Sequence, residues 1–255
     1  MKSQIIGELE KIEKDNDITI IYACESGSRA WGFNNESSDY DVRFIYRKNS
    51  QRDYLTLSER SDVIEVMKDD FDIVGWDVKK ALYLHYRNNP NLREWILSPI
   101  VYIDWRQDIF KNLPDFDKAI LKFHYTNIAQ NNWKSLKNNQ ELSKRIIKMY
   151  LYNCRSVLVW MIVNEGKNPL INIFDLLNQA DSLDEGIERD INALVMHYRS
   201  GCEDDLDVNI IERIHRWMGE HIPLMRKDFP KKEAKPDLKI YDDRFFDVIF
   251  PDFEG

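Results

Sequence analysis

Apolar residues recur at helical spacing near the start of the chain, at Ile5, Ile6, Leu9 and Ile12 among charged neighbours. That spacing predicts an amphipathic helix over residues 2–15. Asn16 and Asp17 end it, and the short apolar run 18–23 reads as a buried strand. Residues 24–36 predict a turn and a short helix, and 39–46 a second strand. After a polar connection over 47–60, the runs 62–67 and 71–76 predict a hairpin around residues 68–70. Residues 78–88 turn helical up to Pro90, 91–97 form another short helix, and 100–103 pair briefly after Pro99. From residue 115 the periodicity is almost wholly helical, over 117–138, 142–164, 173–179, 184–199 and 207–220. The proline-broken tail after residue 230 reads as irregular. The pattern predicts an α+β chain: a mixed sheet with flanking helices over 1–110, then a helical domain with an irregular tail over 111–255.

Composition narrows this picture. At 43% hydrophobic and 12% aromatic residues, the 255-residue chain can bury a real core. No unbroken apolar run approaches the ~20 residues of a membrane helix, and the N-terminus lacks the apolar stretch of a secretory signal. The expectation is a cytoplasmic protein with no membrane partner. Cys24, Cys154 and Cys202 lack metal-ligand spacing and fit reduced, mostly buried thiols. The histidines carry no zinc spacing. Trp31, Trp76 and Trp95 fit core positions better than base-stacking platforms. A net charge of −8 argues against a dedicated non-specific nucleic-acid binder. Two local basic stretches remain: Lys134, Lys137, Lys144, Arg145 and Lys148, and Arg226, Lys227, Lys231, Lys232 and Lys235.

The chemistry is concentrated in residues 22–46, where the first strand runs into Gly27-Ser28 and the second begins near Ser38-Asp39-Tyr40-Asp41. Asp39 and Asp41 are two apart, so on a strand both carboxylates leave one face with Cα atoms about 6.5–7 Å apart. Like charges that close need a cation between them. Mg²⁺ suits the role, because it takes a few carboxylates and completes its shell with phosphate and water. A glycine turn beside such a pair is a site for a nucleoside triphosphate. Arg29 and Arg43 flank the motif, placed to touch phosphate or to pair with the acids. Asp72, between Phe71 and Ile73, and Asp77, at a strand end where it can cap the next helix, are the candidates for a third carboxylate. Lys148 and Arg155 are seven apart and share a helix face.

Gly27-Ser28-Arg29-Ala30-Trp31-Gly32 with Ser38-Asp39-Tyr40-Asp41-Val42-Arg43 resembles the nucleotidyltransferase signature of the DNA polymerase beta superfamily. The stretches 72–80 and 89–95 make the chain similar to the nucleotidyltransferases grouped with bacterial RNA-repair ligases, the RlaP-type family. The resemblance covers roughly residues 15–165 and implies a polymerase-beta-like nucleotidyltransferase fold. It also implies transfer of a nucleoside monophosphate from an NTP to an acceptor hydroxyl, with two Mg²⁺ ions, or Mn²⁺ in their place. Its pattern favours Asp72 over Asp77 as the third ligand beside Asp39 and Asp41. It assigns the phosphates to Gly27, Ser28 and Arg29, and it implies that Lys148 and Arg155 reach them from the helical domain. An RNA end and an RNA ligase partner are the implied context. Nucleotidylation of a small molecule or a protein side chain, as in antibiotic- or toxin-modifying enzymes, and a catalytically inactive nucleotide-binding module stay open.

Overall fold

Five strands form one mixed sheet in the order β3-β4-β2-β1-β5: β1 (Ile18–Glu25), β2 (Tyr40–Lys48), β3 (Val63–Lys68), β4 (Phe71–Asp77) and β5 (Val101–Asp104). The structure is a computed structural model that describes residues 1–57, 61–68, 70–104, 107–137, 143–201, 206–227 and 234–251. Cys202, Lys231 and Lys232 lie outside the described residues. β1 pairs antiparallel with β2 and β5, and β3 with β4, while β2 and β4 run parallel.

Alternation along the strands gives the sheet two apolar faces. Val42, Phe44, Tyr46 and Ile73 pack with Ile5, Leu9 and Ile12 of helix α1 (Lys2–Asn16). Ile21, Cys24 and Ile45 meet α3 (Val78–Tyr86), α4 (Pro90–Ile96) and α11 (Leu238–Ile249) on the other face. Trp76 stacks on Trp95 with ring centroids 3.7 Å apart; Trp95 is core, and Trp76 packs against it partly buried. The short helices α2 (Gly27–Trp31) and α5 (Gln107–Phe110) interrupt the connections.

The remaining helices are α6 (Lys118–Leu136), α7 (Lys144–Asn164), α8 (Ile173–Gln179), α9 (Glu185–Ser200) and α10 (Val208–His221). Each starts where a polar side chain caps an otherwise unbonded backbone N–H: Asp117, Ser143, Asn172, Asp184 and Asp207. An 18-residue window of α7 has a mean hydropathy of 1.3, enough by length and composition to cross a membrane, yet 83% of it is buried inside the protein. It is the core helix of its bundle.

The chain divides into two compact units. One comprises residues 1–30, 39–116 and 234–255, the other 31–38 and 117–233. The tail therefore returns to the sheet unit, and it is not irregular as the sequence pattern implied. Asp237 caps α11 by accepting from the Lys239 N–H. Tyr241, Phe245, Val248 and Ile249 form an apolar stripe whose partners, among them His85 and Tyr54, lie far away in sequence. Those tertiary contacts, not local composition, make the segment helical.

Candidate active site

The site is built where β1 leaves the sheet. Ser26 donates its N–H to the Asp41 carbonyl at 2.8 Å, and the chain then turns through Gly27 with φ +60. The turn needs glycine twice over. Left-handed backbone disfavours a side chain, and a Cβ there would lie 1.9 Å from Asp41 Oδ2. Ser28 is buried. Arg29 lays its guanidinium over the Tyr40 ring at 3.7 Å and donates from Nε to the Asp39 carbonyl at 3.1 Å.

β2 begins at Tyr40, one residue later than the alternation predicted, because its first rung to the β4 side is the Tyr40 N–H donating to the Asp70 carbonyl. Asp39 precedes that rung and is exposed. Asp41 and Asp72 are direct partners in the parallel register of β2 and β4. Arg43 bridges them. Its Nη2 lies 3.1 Å from Asp41 Oδ1 and 2.7 Å from Asp72 Oδ2, while Nη1 donates to the Asp72 carbonyl at 2.7 Å. The two carboxylate oxygens are thus no farther apart than the sum of two hydrogen bonds. Arg43 is 15% exposed against 28% for Asp41 and 30% for Asp72, so the acids face outward and the cation sits behind them.

This donor set fits a hard cation in kind. Two adjacent carboxylates are what Mg²⁺ takes from a protein when phosphate and water supply the rest. Among the described residues no group of three or more His, Cys, Asp or Glu side chains is gathered to hold a metal ion, so the protein itself brings two carboxylates together here and not three.

Asp77 is not brought to this group. It occupies the far end of β4, beside Tyr46 in the register and five residues beyond Asp72, roughly 17 Å along the strand. Its Oδ1 accepts from the Lys79 N–H at 2.8 Å and its Oδ2 from the Tyr54 hydroxyl at 2.9 Å. Asp77 caps α3, and burial raises its carboxyl above the usual range despite those bonds.

Lys148 and Arg155 both belong to the second unit. Lys148 is half-buried, with its Nζ 5.8 Å from the centre of the Tyr152 ring. Arg155 is buried in the helical core: Nε donates to the Ile171 carbonyl at 3.0 Å, Nη2 to the Tyr125 hydroxyl at 3.4 Å, and the guanidinium covers Trp31 at 4.5 Å. Its guanidinium makes these contacts inside its own unit. Cys24 is fully buried in β1, a core thiol.

One residue of the site escaped the sequence reading. Glu25 ends β1 fully buried, its Oε1 accepting from the Asp41 N–H at 2.9 Å and its Oε2 from the Tyr102 hydroxyl. Burial raises its carboxyl, and the bonds from Tyr102 and Asp41 oppose that shift. The available signal was an acid closing an otherwise apolar strand immediately before the glycine turn.

A family described as "RNA repair pathway DNA polymerase beta family" (RlaP) matches residues 1–247, and so includes the Gly27 turn, the Asp41–Asp72 pair and almost all of both units. The uncharacterized protein YcgL of Bacillus subtilis (strain 168) is 36% identical over 246 residues, covering 94% of this chain and 91% of YcgL. A match that spans nearly the whole chain shows that it belongs to the RlaP family, a DNA polymerase beta family of the RNA repair pathway.

Proposed function

We propose that the chain is a nucleotidyltransferase that moves a nucleoside monophosphate from an NTP to the terminal hydroxyl of an RNA. The observation that carries this reading is the in-register Asp41–Asp72 pair, open to solvent and set against the backbone of the Gly27 turn. Asp41 and Asp72, with Asp39 at the strand entrance, are the residues that would hold Mg²⁺. When bound, the metal supplies charge neutralisation for the triphosphate and lowers the pKa of the attacking hydroxyl. The missing Cβ at Gly27 leaves room for the Asp41 carboxylate against the turn, and the Gly27-Ser28 backbone is the part of the turn that would meet the phosphates. Arg29, stacked on Tyr40, directs positive charge along the same rim. Arg43 holds the two acids in their relative positions, Nη2 donating to both carboxylates and Nη1 to the Asp72 carbonyl.

An RNA acceptor is favoured by the family's pathway and by the placement of charge. In an acidic chain, the exposed Lys134, Lys137, Lys144 and Arg145 gather at the end of α6 and the start of α7. An RNA ligase is the partner class this reading implies. Incubating the protein with α-labelled NTPs, Mg²⁺ and separate pools of RNA, protein and metabolites tests it. Label in the RNA pool that D41N fails to transfer supports the reading. Label in the protein or metabolite pool moves the acceptor to that class, and no label with tight NTP binding makes the chain a binding module.

A further inference from the structure

We infer that Glu25 is a positioning residue that fixes Asp41, acting through the Asp41 backbone and not through its own charge; this rests on the nucleotidyltransferase reading above. The reason lies in the ladder between β1 and β2. The Ser26 N–H donates to the Asp41 carbonyl, and an unbroken antiparallel pair would return the Asp41 N–H to the Ser26 carbonyl. The chain instead swings away at Ser26 into the left-handed Gly27 turn. The carboxylate of Glu25 takes the place of the missing carbonyl and accepts the Asp41 N–H at 2.9 Å.

That substitute is itself held on every side. Tyr102, on the neighbouring β5, donates its hydroxyl to the second oxygen. Ser98 donates to the Glu25 carbonyl at 2.6 Å, and the Glu25 N–H donates to the Ile100 carbonyl at 2.9 Å. Glu25 thus ties three strands together at the point where Asp41 leaves its last rung. It is fully buried, so it touches neither substrate nor metal. With the N–H anchored by Glu25, the carbonyl by Ser26 and the carboxylate by Arg43, Asp41 has little freedom left before any ligand arrives. Preorganisation of this kind is what an electrostatic site requires.

The test is Mn²⁺ binding to the nucleotide-free protein, followed by electron paramagnetic resonance, alongside transfer kinetics. E25M keeps the volume of the side chain and removes the acceptor. It should weaken Mn²⁺ binding at least tenfold and lower kcat about a hundredfold, more than it changes the KM for NTP. E25Q keeps an oxygen for the Asp41 N–H and an amide for Tyr102, and should restore both quantities to within a few-fold of the parent. If E25Q is as defective as E25M, the charge matters and the inference is overturned; unchanged binding in a folded E25M overturns it as well. If E25M does not fold, Y102F decides: loosened Mn²⁺ binding supports the inference and unchanged binding overturns it. D41N separates the two layers. A D41N protein that binds Mn²⁺ like the parent defeats the reading of the site itself. Loss in D41N with retention in E25M defeats only the role of Glu25.

Discussion

The Cα of Gly27 lies against the carboxylate of Asp41, with 1.9 Å between Asp41 Oδ2 and the place a methyl group would occupy. Two parts of the signature separated by fourteen positions are therefore one object in space. G27A should lose at least a hundredfold in transfer rate, because alanine must either push Asp41 out of register or rebuild the turn. Its melting temperature should fall as well, by more than the about 1–2 kcal/mol of a left-handed alanine alone, because Asp41 must also move. Kinetics and a thermal melt on the same preparation check both halves.

Asp72 and Asp77 sit on one strand, and the structure gives them different work. D72N should fold normally and lose transfer, since its carboxylate faces outward beside Asp41. D77A should keep much of its activity but lose about 2 kcal/mol of stability, through the lost α3 cap and the lost acceptor of the Tyr54 hydroxyl, which then keeps only the Lys48 N–H. Urea unfolding and a transfer assay on both variants decide the matter. Inactivity of a stable D77A would reverse the assignment.

For the basic residues of α7 the expected outcomes also diverge. R155M should destabilise the helical unit by about 2 kcal/mol, because the buried Ile171 carbonyl loses its donor. K148A, at a half-buried position over Tyr152, should change stability by less than about 0.5 kcal/mol. A chemical melt read at the tryptophans reports this directly. A fully stable R155M with an altered KM for NTP would return Arg155 to the phosphate site.

These contrasts show where the sequence was legible. The glycine turn and the two strands follow from local pattern, since alternation is a local rule. The capped helices from Asp117 onward are legible for the same reason. The preference for Asp72 over Asp77, in contrast, comes from the family resemblance, and the pattern alone leaves both candidates open. Three features are not local. Glu25 acquires its role only because β5 brings Tyr102 beside it. The resemblance sends Arg155 towards phosphate, whereas Trp31 and Tyr125 cover it, and α11 reads as irregular until α3 supplies its apolar partners. The excursion of residues 31–38 into the second unit belongs with these. Phe33 is buried in the helical core, and Gly32 packs against the Asn172 side chain that caps α8.

The docking of α11 on α3 carries a pH dependence whose sign follows from His85. Its ring is buried among Phe110, Phe116 and Tyr241, with Nδ1 3.0 Å from the Tyr241 hydroxyl. Burial lowers its pKa to about 4, outweighing the opposing charge of Asp115. Above the unfolded value of about 6.5, the ring is neutral in both states and costs nothing. As pH falls from there towards 4 the unfolded chain takes up a proton that the folded one refuses, so stability drops. Below about 4 both states are protonated and the loss stops. The full loss is about 3 kcal/mol. H85N removes this titration while leaving a polar partner for Tyr241. The stability difference between parent and H85N should therefore shift against the parent by about 3 kcal/mol between pH 7 and pH 4. Urea unfolding at both values measures it, and a difference independent of pH would show that the imidazole already takes its proton in the folded protein.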